Sequence, residues 1–135
     1  MVSDSDSQGQ ESKIRSWIAG AEEALEVAHS LLSSGKFVFS VFFCHLAIEK
    51  TLKAAVIAET GNVAPKTHNL RYLSGQAGLP AGGREFEFIS ILSDVSVPTR
   101  YPEDLGHSLS GYTEDVVRDY LERTREAIDW IKTFM

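Results

Sequence analysis

The chain has 135 residues and a net charge of −6, which sets it as one domain with room for a single core. The acidic balance argues against general affinity for nucleic acid, which depends on basic side chains neutralising phosphates, although it leaves room for a local basic cleft. No run approaches the roughly eighteen consecutive apolar residues of a membrane span.

The opening stretch MVSDSDSQGQE carries three acids and no apolar centre. It reads as a disordered tail over residues 1–11, not as a signal peptide, and the domain proper as residues 12–135. The lone Cys44 lies among apolar neighbours and has no second cysteine to pair with. Both features imply a cytoplasmic protein with an inert buried thiol.

Ile14, Trp17, Ile18, Ala21, Leu25, Ala28 and Leu32 recur at helical spacing and predict a first helix over about residues 11–33. Ser33-Ser34-Gly35 ends it. A second helix over about residues 36–60 is apolar nearly all round, as expected at the centre of a bundle. After a loop over residues 61–65, Thr67 is placed to cap a short helix from His68 to Gln76. Gly78 to Gly83 forms the next break, and a fourth helix runs from Arg84 to Val95. Residues 97–111 hold two prolines and two glycines and form the longest irregular stretch. Thr113, followed by Glu114 and Asp115, opens the last helix, whose inward stripe is Val117, Tyr120, Leu121, Thr124, Ile128 and Ile131. The fold class is therefore all-α: an antiparallel up-and-down bundle of four long helices plus one short helix.

The chemistry concentrates in the second helix and in the loops after it. His45, Glu49 and Lys53 stand four residues apart and share one helical face. They form either an ion-paired row or one wall of a groove that binds phosphate or base edges. His68, beside Lys66 and Thr67 at a helix start, suits an anion site or a tie to a loop carbonyl. Arg100 and His107 lie in the long loop. Arg suits phosphate and His suits acid–base work near neutral pH, so together they could cleave RNA without metal. The four histidines show no metal-type pairing with cysteine or acids, so neither a metal site nor a cofactor is expected.

Three segments in order, Ala47-Ile48-Glu49-Lys50-Thr51-Leu52-Lys53-Ala54, Lys66-Thr67-His68-Asn69-Leu70 and Arg100-Tyr101-Pro102, resemble the HEPN domain. The resemblance covers about residues 12–134. It implies a helical bundle that is commonly a homodimer, and in prokaryotes is often encoded beside a small nucleotidyltransferase of the MNT type as a toxin–antitoxin pair. Ribonuclease members carry R-x4-6-H, which Arg100 and His107 fit at its upper limit. In nucleotide-binding members Glu49, Lys53, Lys66, His68 and Tyr101 are the residues to watch. Three functions stand open: a nucleotide- or RNA-binding partner of a nucleotidyltransferase, a metal-independent ribonuclease toxin, and a non-catalytic dimeric interaction module.

Overall fold

The computed structural model describes residues 4–95 and 111–135. They form five helices: α1 (Asp4–Ser33), α2 (Phe37–Thr60), α3 (Leu70–Gln76), α4 (Arg84–Ser93) and α5 (Glu114–Lys132). There is no strand among the described residues. No helix among them is long and apolar enough to cross a membrane.

Helix α2 is the axis of the bundle and packs against all four others. This accounts for its apolar residues on every side: burial in several directions leaves no polar face to specify. A tight turn through Gly35, at φ +76°, folds α1 back along α2. Two contacts fix the antiparallel pair. Ser40 Oγ donates to the Ala28 carbonyl at 2.7 Å near the turn, and Gln10 Nε2 donates to the Gly61 carbonyl at 2.9 Å at the far end.

That second bond also corrects the reading of the N-terminus. Helix α1 begins at Asp4, not near residue 11, so residues 4–11 continue the helix instead of forming a disordered tail. An anchor 51 residues away holds its first turns, and composition alone carries no sign of it.

The helix ends obey capping chemistry. Gly61 closes α2 in the left-handed conformation, its N–H bonded to the Ile57 carbonyl at 2.8 Å. Thr113 caps α5 by accepting from the Val116 N–H. Glu114 and Asp115 in the first turn of α5, and Lys132 in the last, sit at the favourable ends of its dipole. For α3 the cap is Asn69, whose side chain accepts from the Tyr72 N–H at 3.0 Å. Thr67 accepts from the Asn69 N–H instead and shapes the turn before the helix. The helix therefore starts at Leu70, and His68 stands on the loop.

The core runs the length of α2. It gathers Leu25 and Ala28 from α1, Ile48 and Leu52 from α2, Leu70 and Leu73 from α3, Phe88, Ile89 and Leu92 from α4, and Leu121, Ile128 and Ile131 from α5. Apart from Ser40, which reaches across to α1, the buried hydroxyls of Thr51, Ser74 and Thr124 are satisfied within their own helices, each donating to the carbonyl four residues back. On the outside, Glu22 of α1 receives Arg125 through two nitrogens, at 3.1 and 2.8 Å, and Lys132 at 3.0 Å. These bonds tie α1 to α5.

Candidate functional site

The apolar surroundings of α2 enclose one ionic group. Glu49 is 4 % exposed and Lys53 8 %. Lys53 Nζ lies 3.3 Å from Glu49 Oε2, the geometry that i, i+4 spacing on a helix allows. A buried charge without compensation costs several kcal/mol, and here each charge is met from two sides. The Lys53 ammonium also stands 5.3 Å from the centre of the Trp17 ring, supplied by α1. On its other oxygen, Glu49 Oε1 is 2.8 Å from His68 Nδ1 and 3.8 Å from Nδ1 of the buried His45. One carboxylate thus joins α1, through Lys53 and Trp17, to the loop between α2 and α3.

His68 is the outward end of this chain. Its side chain is 61 % exposed although Nδ1 faces a buried acid. It lines an open depression of about 440 Å³ together with Lys66, Thr67, Asn69, Arg71, Ser93 and Asp94. The floor is braced between helices. Arg71 reaches Asp94 with both terminal nitrogens, at 3.2 and 2.8 Å, and also donates to the Ser90 carbonyl at 2.8 Å. The Leu70 N–H donates to Ser93 Oγ at 3.2 Å. Pairing raises the Arg71 pKa and lowers that of Asp94, in each case mainly through their mutual hydrogen bonds.

The start of α3 offers few donors to an anion. The N–H groups of Asn69, Leu70 and Tyr72 are already taken by Thr67, Ser93 and Asn69. The Arg71 guanidinium places three of its five N–H donors on Asp94 and the Ser90 carbonyl. Lys66 is exposed and takes part in none of the ion pairs among the described residues.

Of the residues singled out in the sequence, Glu49, Lys53 and His68 are in one contact chain, and Lys66 shares the depression with His68. Arg100, Tyr101 and His107 lie outside the described residues. Three participants escaped the sequence reading as site residues. Trp17 carried no mark beyond an apolar position on α1. Arg71 and Asp94 are 23 residues apart and become partners only when α3 packs on α4.

A sequence profile of the HEPN domain matches residues 14–134. Two solved structures share the fold at 22 % identity. One is TT1696 from Thermus thermophilus, with a TM-score of 0.75 over 91 % of this chain and 98 % of that one. The other is ST0689, described as an archaeal HEPN homologue, with a TM-score of 0.68 over 89 % of this chain and 95 % of that one. No curated protein matches the chain. With the profile spanning nearly the whole bundle and both structural neighbours covering it, the chain belongs to the HEPN domain family.

Proposed function

We propose that this HEPN domain is a nucleotide- or RNA-binding bundle that acts with a nucleotidyltransferase partner in a toxin–antitoxin-like pair. The observation that carries the reading is the depression beside His68, where an exposed imidazole is braced by a buried carboxylate and stands with an uncommitted lysine. In this reading Lys66 and His68 meet the ligand, and Glu49 and Lys53 hold His68 in place from behind. Phe39, 45 % exposed at the start of α2, with half-buried Phe42 and Phe43 beside it, supplies an apolar face suited to a second protomer.

The test is equilibrium binding of ATP, GTP and a short single-stranded RNA by calorimetry, on the wild type and on Lys66→Ala. Binding that weakens about tenfold in the variant supports the site. A folded wild type that binds none of the three at millimolar concentration refutes it.

A further inference from the structure

The outer face of the hairpin formed by α1 and α2 combines an apolar row with two unused charges. Phe39, Phe43, Leu46 and Lys50 stand at i, i+4, i+7 and i+11 on α2 and share one side of the helix. Phe39 is exposed, while Phe43 and Leu46 are half-buried at the edge of the core. Beside this row α1 sets Gly20, Glu23 and Val27, again on one side of their helix. The two helices form a groove of about 230 Å³ whose lining includes Val27, Phe43 and Leu46 together with Glu23 and Lys50.

Gly20 makes room for Lys50. The lysine Cδ, Nζ and Cε lie 3.1, 3.3 and 3.7 Å from the point where a Cβ on residue 20 would stand. Glycine inside a helix is less favourable than alanine, and here it lets the lysine lie against the α1 backbone. Neither Lys50 nor Glu23 takes part in an ion pair among the described residues, although both line the same groove.

A face that carries one free charge of each sign is complementary to itself. A two-fold axis passing between Glu23 and Lys50 brings each Glu23 opposite the Lys50 of a second copy, and each Lys50 opposite its Glu23. The same rotation lays the apolar row of one copy against that of the other. An unrelated partner would have to supply an acid, a base and apolar surface in matching places, whereas a second copy supplies all three by symmetry.

We propose that two copies of this chain pair through the outer face of α1 and α2, with Glu23 and Lys50 joined in reciprocal ion pairs across the axis. Pairing as such is what the family resemblance implies; the face, the axis and the ion pairs follow from these residues. The proposal rests on the second-protomer reading of the Phe39 face given above and does not depend on the ligand beside His68.

The experiment is sedimentation equilibrium of the full chain at low salt, with circular dichroism to confirm that each variant is folded. The wild type is expected to dimerise with a dissociation constant below about 10 µM, and the constant should rise with added salt. Phe39→Asp, at an exposed position outside the core, should be monomeric. Glu23→Lys and Lys50→Glu each set like charges opposite one another at two symmetric places, and each should weaken the dimer about a hundredfold. Mixing these two variants restores opposite charges at both places, so 1:1 heterodimers should form and appear at their own mass in native mass spectrometry. A wild type that stays monomeric at about 100 µM, or a dimer untouched by Phe39→Asp, overturns the face. A dimer lost in Phe39→Asp but indifferent to Glu23→Lys and to salt, or charge variants that do not pair when mixed, overturns the reciprocal ion pairs and leaves the apolar face standing. Ligand binding, measured on Lys66→Ala as above, is read separately from all of these outcomes.

Discussion

Replacing Glu49 by Gln keeps the shape of the side chain and removes its charge, so it isolates what the carboxylate does for the fold. Lys53 is then left as a buried ammonium with the Trp17 ring as its remaining partner. Breaking a buried ion pair from one side costs about 3–5 kcal/mol when the survivor cannot reach water. The Lys53 side chain is 10 % exposed and its stem can extend outward, which lowers the expected loss to about 2–3 kcal/mol. The bond to His68 adds little, because that ring is mostly in solvent. For a domain of this size the loss lowers the melting temperature by roughly 10 °C. Urea unfolding monitored by tryptophan fluorescence measures it, with Trp17 reporting from the site itself. Pairing the change with Lys53→Met removes both charges, and the double variant should recover about 1–2 kcal/mol relative to the sum of the two single variants. A Glu49→Gln protein within about 0.5 kcal/mol of wild type, or a double variant that loses the full sum, would refute this account of the buried pair.

Acid stability should depend on the tie between α1 and α5. Hydrogen bonds from Arg125 and then Lys132 hold the Glu22 carboxyl at about 2, down from its ordinary 4.5. The folded value lies below the unfolded one, so the stabilisation is complete above about pH 4.5 and is lost as pH falls from there through about 2. The Glu22 side chain is 37 % exposed, and solvent screening keeps the effect to about 1 kcal/mol. The stability gap between wild type and Glu22→Gln should shrink across that window; a gap that stays constant contradicts the assignment. Burial pushes the Cys44 thiol up to about 11, against a smaller opposing effect of a hydrogen bond with Thr124. The native protein at pH 8 should therefore react with a disulfide reagent far more slowly than the urea-unfolded chain, and equal rates would show that Cys44 is open to solvent.

The parts of this molecule that depend on local pattern were legible in the sequence. The repeat of apolar residues on α1 and α5, the near-continuous apolar run of α2 and the Thr113 cap all rest on residues within a turn or two of one another. The Glu49–Lys53 pair belongs with them, since i, i+4 spacing brings the two side chains together whatever the rest of the chain does. What could not be read depends on distant partners. The start of α1 is held by Gly61, and the choice between Thr67 and Asn69 as cap was settled by which hydroxyl or amide reached the Tyr72 N–H. The contact between His68 and Glu49 crosses 19 residues, and the grip of Arg71 on Asp94 crosses 23. Each needs the bundle to be assembled first. The candidate site was therefore visible as a set of residue types, while the roles within it, which side chain faces solvent and which stays behind, came from packing.

The buried ionic chain has a consequence for how the central helix finds its angle. A helix that is apolar on every side has no greasy face to turn inward, and many rotations about its long axis bury almost the same area. Each residue of slip turns a helix by about 100°. Such a slip would carry Glu49 and Lys53 away from His68 and Trp17, and would press two charges into Leu, Ile and Val side chains. In α2 the polar residues therefore do the orienting that apolar stripes do on the outer helices. The ion pair contributes to uniqueness by making every other rotation expensive, more than by making the observed one favourable.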